Sequence, residues 1–387
     1  MKRTIGSIER PPSRQRPLRP LAIAGLCWAA LGAQSAVLAA QPATGTVASA
    51  QPAASAPSSH PDPATVIRRI QDAANRHSFS GTFVVSAGGA MTSLRITHVS
   101  DGHNQIERVE TLDGQMRQVY RHNDLVHVLW PRSHAAIIEH RDLGLGYPAV
   151  LQTGSAARLD MYELKSAGID RVAGLEAEVL QLRPRDAHRY GQRLWLERQT
   201  GLLLRTDILG PQGELIESAG FSELKWSARS QSQTQAQSQT LLAEMHRLKG
   251  YRIERPKLTH TELEREGWML RTPVAGFRVL HTYAHPPGLP SHGAHAPDAV
   301  RTASGDAAAP NPQGGVLQAV FSDGLTTVSL FIERYDAGRH QREAPAASQG
   351  ATQAIGQRHG DWWITAVGDV PRATLRQFAA QIERRKP

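Results

Sequence analysis

Two kinds of side chain in this 387-residue sequence could do polar chemistry, and both are sparse. Glu107 with Glu110, and Glu262 with Glu264, are spaced as a general acid and base could be, and His285, His292 and His295 put three imidazoles within one stretch, as a metal site would need. Both patterns have plainer readings. Acid pairs on a strand or a charged helix face are usually solvated, and a Gly/Pro-rich loop with no nearby acids to orient its histidines holds a metal poorly. The sequence contains no Gly-x-Ser-x-Gly elbow, His-Glu-x-x-His helix, Gly-Lys-Ser/Thr phosphate loop or Cys-x-x-Cys pair. We therefore expect no catalytic residue, no metal, no cofactor and no enzyme.

Apolar chemistry is better represented. Phe83, Val85, Leu94, Ile96, Val128, Trp130, Leu180, Leu182, Leu194, Leu196, Leu204 and Ile208 fall on runs of period two and are the inward candidates of a bent sheet. Such a face can be filled as core or left as a pocket for an acyl chain, and alternation is compatible with both. A lipid tail entering it would contribute roughly 0.8 kcal/mol per buried methylene, so a short stretch would give useful affinity.

The elements that position these residues follow from the same pattern. Asp62-Pro63 is an N-cap acceptor followed by proline, and Val66, Ile67, Ile70, Ala73, Ala74 and His77 then recur at helical spacing up to about Ser78. From Gly81 the period falls to two, through Thr82 to Val85, Leu94 to His98 and Ile106 to Val109, with Asp101-Gly102 and Asp113-Gly114 as tight reversals. Leu125 to Trp130, Ala136 to His140, Ala177 to Leu182, Leu194 to Glu197, Leu202 to Leu209 and Glu214 to Phe221 continue the series. Strands joined so briefly are antiparallel neighbours. His98, His122, His127, His134 and His140 alternate with apolar residues there and read as surface or half-buried side chains. Residues 142–160, with Gly144, Gly146, Pro148 and Gly154 among leucines, predict a flap or short helix crossing the sheet.

Ser227 to Thr240 is Ser/Gln low complexity and predicts a linker between domains. Beyond it lie strand candidates at Gly276 to Tyr283, Val316 to Ser322, Thr326 to Glu333, Gly350 to His359 and Trp362 to Val367. A last helix starts at Pro371, with Leu375, Phe378, Ala379 and Ile382 on one face. His285 to Gly315, rich in Pro, Gly and Ala, predicts a solvated insertion.

The start of the chain changes what its charge means. Met1 to Arg19 is basic, Leu21 to Ala33 is apolar and Val37-Leu38-Ala39-Ala40 supplies small residues, so residues 1–40 read as a signal peptide cut after Ala39 or Ala40. An uncleaved anchor is the alternative, since the apolar run approaches about twenty residues, but Gln34 and Ser35 interrupt it. Residues 41–61 are Ala, Pro, Ser, Thr and Gln and predict a disordered linker. Six basic residues and one acid leave with the leader, so the formal charge falls from +9 to +4 and a nucleic-acid partner is not expected. The one cysteine, Cys27, leaves too, and Leu26 before it is not the small residue of a lipid-attachment site. A chain of this length can bury a core without disulfides.

These runs resemble the RseB/MucB family of periplasmic sigma-factor regulators, the sigma-E or AlgU type. The resemblance rests on Ser80-Gly81-Thr82-Phe83-Val84-Val85, Leu94-Arg95-Ile96-Thr97-His98 before Asp101-Gly102, and Glu107-Arg108 before Leu112-Asp113-Gly114. It continues through Val172-Ala173-Gly174, Val179-Leu180-Gln181-Leu182-Arg183-Pro184, Arg189-Tyr190-Gly191 before Leu194-Trp195-Leu196, and Thr200-Gly201-Leu202-Leu203-Leu204. In the second domain Phe321-Ser322-Asp323-Gly324-Leu325, Val328-Ser329-Leu330-Phe331-Ile332-Glu333, Gly350-Ala351 and Val367-Gly368-Asp369-Val370-Pro371 extend it.

What the resemblance implies is an α+β chain of two domains: a large N-terminal one over 62–226, similar to LolA-type lipoprotein carriers and built as an unclosed antiparallel barrel with helices, and a smaller C-terminal one over 241–387, an antiparallel sheet plus helix. It implies a periplasmic, non-enzymatic negative regulator that binds the periplasmic domain of an RseA/MucA-like inner-membrane anti-sigma factor. Such a regulator shields its partner from site-1 proteolysis and releases it on sensing lipopolysaccharide or another amphiphile. Ser322, Asp323, Gly324 and Leu325, with Phe331 and Glu333, are the partner-surface candidates; a plain hairpin turn is the other reading of Asp323-Gly324. If amphiphile and anti-sigma segment prefer different domain arrangements, each weakens the other by the same factor. Monomer and homodimer are both compatible with the sequence. The alternative function is a periplasmic lipid or lipoprotein carrier, which would not need the second domain.

Overall fold

The first helix, α1 (Pro63–Arg76), starts where the sequence sets it: the Asp62 carboxylate accepts the Thr65 N–H at 3.3 Å, and Pro63 takes the first turn, where no N–H is needed. Val66, Ile67, Ile70, Ala73 and Ala74 form its buried face. The computed structural model describes residues 62–385, except 103, 141–158, 228–229, 287–314, 339 and 341–346. The expected leader, the 41–61 linker, all but the end of the 142–160 flap, and most of the His285 to Gly315 insertion with His292 and His295 lie outside the described residues.

Eleven strands follow α1: β1 (Phe79–Ala87), β2 (Ala90–Ser100), β3 (Gln105–Thr111), β4 (Gln118–His122), β5 (Leu125–Trp130), β6 (Ala135–His140), β7 (Tyr162–Val172), β8 (Leu175–Pro184), β9 (Gly191–Glu197), β10 (Leu203–Leu209) and β11 (Leu215–Trp226). Helix α2 (Gln231–Met245) and strand β12 (Arg252–Glu254) come next. The sheet runs β12-β6-β5-β4-β3-β2-β1-β11-β10-β9-β8-β7, antiparallel throughout except for β12 on β6. Two meanders are therefore joined through β1 and β11, and the outer strands β12 and β7 stay apart, so the sheet does not close.

The two helices cover opposite faces of this sheet. Val66, Ile67 and Ile70 of α1 pack with Leu164, Leu180, Leu182, Leu194, Leu196 and Leu203, and Ala73 belongs to a second cluster with Phe79, Ile96, Leu204 and Phe221. Val99 is out of phase with Ile96 along β2 and so faces the other way; there it meets Ile106 and Leu241 of α2, while Met245 packs with Tyr120, Leu129 and Ala136.

Helix α2 corrects an expectation. The Ser/Gln segment of 227–240, expected as a flexible linker, is helical from Gln231, with the Ser230 hydroxyl accepting the Gln233 N–H at 3.3 Å. Its composition carries no apolar period, yet Leu241 and Met245, four residues apart at its end, are buried on the sheet, and Glu244 meets Arg108 at 2.7 Å. Tertiary packing of one end stabilises a helix that propensity alone would not. Arg252–Glu254, expected in the second domain beyond residue 241, instead completes the first sheet.

The second sheet comprises β13 (Thr259–His260), β15 (Arg278–His285), β16 (Val316–Ser322), β17 (Thr327–Arg334), β18 (Ala347–Gln349), β19 (Thr352–His359) and β20 (Trp362–Gly368), in the antiparallel order β13-β15-β16-β17-β20-β19-β18. A separate ladder joins β14 (Trp268–Leu270) to β21 (Ile382–Arg384). Helix α3 (Arg372–Gln381) lays Leu375, Phe378 and Ala379, with Ile382 after it, against Phe321, Val328, Leu330, Ile332 and Ile364, the face its spacing predicts. No helix among the described residues is long and apolar enough to cross a membrane.

Met245 is fully buried, so Met245→Ala should destabilise the protein by about 2–5 kcal/mol. Gln235→Ala, on the exposed side of the same helix, should stay within about 0.5 kcal/mol. Urea denaturation followed by fluorescence compares them, and equal losses would show that α2 is not anchored through its end.

Candidate functional site

The turn between β16 and β17 braces itself. Asp323 Oδ1 accepts the N–H groups of Leu325 and Thr326, each at 2.9 Å, while the Ser322 hydroxyl donates to the Thr326 carbonyl at 2.8 Å and accepts the Gly324 N–H at 3.0 Å. This leaves Asp323 Oδ2 free to reach outward, and it reaches the first sheet. There it accepts from the Tyr162 hydroxyl at 2.9 Å and from Arg189 Nη1 at 2.7 Å, and the side chains of Arg189 and Asp323 are wholly shielded from solvent.

Arg189 sits in the connection from β8 to β9 and has all its directions used. Nε and Nη2 donate to Asp186 at 3.0 and 3.1 Å, Nη2 also donates to the Ala275 carbonyl at 2.5 Å, and the guanidinium lies 5.0 Å from the Phe277 ring centroid. Two carboxylates and a carbonyl thus compensate one buried cation, which is what such burial requires. Burial pushes the Tyr162 phenol well above its ordinary pKa, and the adjacent Asp323 charge adds to the shift. Tyr162 therefore stays protonated and can only donate to Asp323.

Leu325 completes the contact by entering the apolar cluster of Val66, Ile67, Ile70, Tyr162 and Leu164. Two glycines of the second sheet's half allow its close approach to the first. At Gly276 (φ 79°) a Cβ would lie 2.7 Å from Met161 Cγ and 2.9 Å from Arg189, and at Gly350 (φ 57°) it would run into Glu217 and Ala87. Two further bonds tie the sheets: the Ala351 N–H donates to Glu217 at 3.2 Å, and the Thr374 hydroxyl donates to the His188 carbonyl at 2.9 Å.

Ser322, Asp323, Gly324 and Leu325, expected on a partner surface, are brought together, but buried against the chain's own first sheet. Phe331 packs with Val316, Ala354 and Val367, and Glu333 is buried with its carboxylate 3.5 Å from His340 Nε2. Of the acyl-pocket candidates, Leu180, Leu182, Leu194 and Leu196 lie in the cluster under α1, and Phe83, Ile96 and Leu204 pack with Phe79 and Phe221. Val128 is buried outside these two clusters, and Val85, Leu94, Trp130 and Ile208 are half-buried.

The acid pairs do not form. Glu107 meets His98 Nδ1 at 3.2 Å, and His98 Nε2 is 2.9 Å from the Ala74 carbonyl, a buried tie between α1 and the sheet. Glu110 turns to Arg95 at 3.9 Å, and Glu262 to Arg265 at 3.0 Å. His285 is buried beside Gln318, and no group of three or more metal-ligating side chains occurs among the described residues. Sequence reasoning missed Arg189 and Tyr162. Arg189 entered the sequence reading only within the family-like run Arg189-Tyr190-Gly191, with no role, and Asp186 three residues before it is an acid spaced to hold the guanidinium.

Comparison with known proteins agrees with both sheets. Residues 62–242 match the MucB/RseB N-terminal domain and residues 262–383 the MucB/RseB C-terminal domain. The chain is 28% identical over 323 residues to the sigma factor AlgU regulatory protein MucB of Pseudomonas aeruginosa, covering 82% of this chain and 89% of that one. It is 22% identical over 316 residues to the sigma-E factor regulatory protein RseB of Haemophilus influenzae, covering 81% and 89%. A crystal structure of MucB in complex with MucA(peri) shares the fold with a TM-score of 0.58 at 23% identity, over 84% of this chain and all of that one. The Pseudomonas aeruginosa MucA/MucB complex gives 0.59 at 24%, over 84% and 99%.

Removing one partner of the buried ion pair strands the other. Arg189→Ala and Asp323→Ala should each cost about 3–5 kcal/mol, with the double variant costing less than the two together. Urea denaturation of the three variants tests this, and simple additivity would deny the coupling. A pH dependence follows from Glu217, whose carboxyl is raised by burial, with the Asp369 charge adding. The Ala351 N–H favours the carboxylate and opposes this shift without cancelling it, so the docked form keeps its proton to higher pH than a solvated Glu217 would, and docking of the two sheets is fully supported below the solvated carboxylate pKa and weakens as pH rises through the raised value. The hydrogen-exchange protection factor of the Ala351 amide should therefore fall over that window in the native chain and stay flat in Glu217→Gln.

Proposed function

This chain belongs to the MucB/RseB family of sigma-factor regulators, and we propose that it is a periplasmic negative regulator of an envelope-stress sigma factor, acting by binding rather than catalysis. Its partner is the periplasmic domain of an inner-membrane anti-sigma factor, which it shields from the first protease cut. The observation that carries this reading is the in-order match of both family domains. It is supported by the relative MucB, solved in complex with MucA(peri). The carrier alternative would leave the second sheet without a task.

The domain roles follow the same division. The first sheet with its helices, over 62–226 and its continuation to Glu254, takes the lipopolysaccharide or other amphiphile, and the second sheet takes the anti-sigma segment. The half-buried Val85, Leu94, Trp130 and Ile208, with Val128, are where an acyl chain would enter, because the remaining candidates are packed beneath α1 or against Phe79 and Phe221. The Asp323 turn adds a constraint on the partner. Its residues serve the anti-sigma segment only after leaving Tyr162 and Arg189, so docking of the sheets and binding at the turn compete, and each weakens the other. An amphiphile that favours the docked arrangement would by the same linkage release the partner.

Binding of the chain without its leader to a purified anti-sigma periplasmic domain tests the reading. We expect a one-to-one complex that slows cleavage of the partner and is dissociated by lipopolysaccharide fragments. Capture of lipids or outer-membrane lipoproteins alone, with no effect on the anti-sigma domain, would favour the carrier instead.

A further inference from the structure

The chain leaving α2 interleaves two kinds of residue. Leu248, Tyr251 and Ile253 pack with Met245 against Tyr120, Leu129 and Ala136 of the first sheet. Between and beyond them Arg247, Lys249, Arg252, Arg255 and Lys257 are exposed. The segment is fixed to the outer edge of that sheet: the Tyr251 N–H donates to the Leu248 carbonyl at 3.1 Å, the Arg252 N–H donates to the His134 carbonyl at 2.7 Å, and β12 runs parallel to β6. Arg132, also exposed, stands in the turn just before β6, and Arg255 and His246 both act electrostatically on His127 of β5. The cations therefore gather around one corner of the sheet.

Residues 247–257 hold five cations and one acid, Glu254, which lies 3.8 Å from Arg252. Their net of +4 equals the whole formal excess of residues 41–387, so the charges in the rest of that span cancel. Arg247, Lys249, Arg255 and Lys257 meet no carboxylate among the described residues. Like charges fixed this close repel, and counter-charge relieves them. A small anion needs converging donors, whereas along the chain these cations are spread over as much as about 33 Å. A protein partner needs apolar or aromatic anchors at the centre of its contact, and the anchors of this segment are turned onto the sheet. A bilayer with anionic phosphates needs neither, because several exposed Lys and Arg near its surface suffice.

We propose that Arg247, Lys249, Arg252, Arg255 and Lys257, with Arg132 beside them, form a docking surface for the anionic phospholipid headgroups of a bilayer. The strip lies between the two family-matched domains, 62–242 and 262–383, and is independent of the acyl-chain reading of the first sheet. Contact is through charge and leaves the lipids in the membrane. Adhesion of this kind concentrates a protein on the surface that carries a membrane-anchored partner.

The test is co-sedimentation of the exported chain, residues 41–387, with mixed phosphatidylglycerol/phosphatidylcholine vesicles and with pure phosphatidylcholine vesicles, beside titration of a labelled acidic decapeptide. We expect binding to the anionic vesicles at about 0.05 M NaCl, none to phosphatidylcholine, and release at about 0.5 M, where the screening length is only a few ångströms. The R247Q/K249Q/R255Q/K257Q variant should bind at least about a hundredfold more weakly. The R68Q/R183Q/R185Q/R376Q variant, which removes the same charge from exposed places elsewhere, should stay within about threefold of the parent. Thermal melting confirms that each variant is folded. No binding to the anionic vesicles, equal losses in the two variants, retention in the folded strip variant, or tighter binding of the acidic peptide would each overturn the proposal. Binding that survives high salt, as acyl uptake by the first sheet would, also overturns it while leaving that other reading in place.

Discussion

The buried ion pair of Asp323 with Arg189 is the charged tie between the two halves of this protein. Asp323 Oδ2 accepts from Tyr162 and Arg189 in a place closed to water. A buried charge tolerates no partial solution: with its partners in place the arrangement is compact and specific, and with any one of them gone a charge is stranded. The apolar contact of Leu325 with the α1 cluster has no such directionality. Leu325 contributes affinity, whereas Asp323 and Arg189 decide how the second sheet is oriented on the first. The glycines at 276 and 350 serve the same end by letting backbone approach where a side chain would not fit.

The sheet order gives that junction its setting. Because β1 pairs with β11, the strands carrying Tyr162 and the Arg189 turn lie in the same sheet as the far meander that α2 covers. α1 lies over the apolar residues of β7 to β9, and the Asp323 turn meets the same cluster. Movement of the turn, repacking of α1 and access to the face beneath it are therefore physically connected. This is the kind of contiguous packing through which an amphiphile at one place and a protein segment at another can influence each other.

Much of this was legible in the sequence. The α1 cap at Asp62-Pro63, the period-two runs and the face of α3 are local signals, and each lies where spacing puts it. α2 was hidden because Ser and Gln carry no period; only Leu241 and Met245 at its end declare it, and their partners are strands more than a hundred residues away. Arg189 was hidden for the opposite reason. In Arg183-Pro184-Arg185-Asp186-Ala187-His188-Arg189 it looks like one more charge in a solvated turn, and its burial depends on Asp323 and Phe277 arriving from a different sheet. Ser322 to Leu325, expected on a partner surface, are buried against the first sheet, in an environment set by a contact that no local pattern encodes.

The central claim is that this docking opposes partner binding at the turn. Its most direct measurement is the affinity of the anti-sigma periplasmic domain for a folded Arg189→Met variant, which loosens the junction while leaving Ser322 to Leu325 intact. The account predicts tighter binding than to the unaltered chain. Unchanged or weaker binding would contradict it, because the turn would then serve the partner from its docked position or not at all.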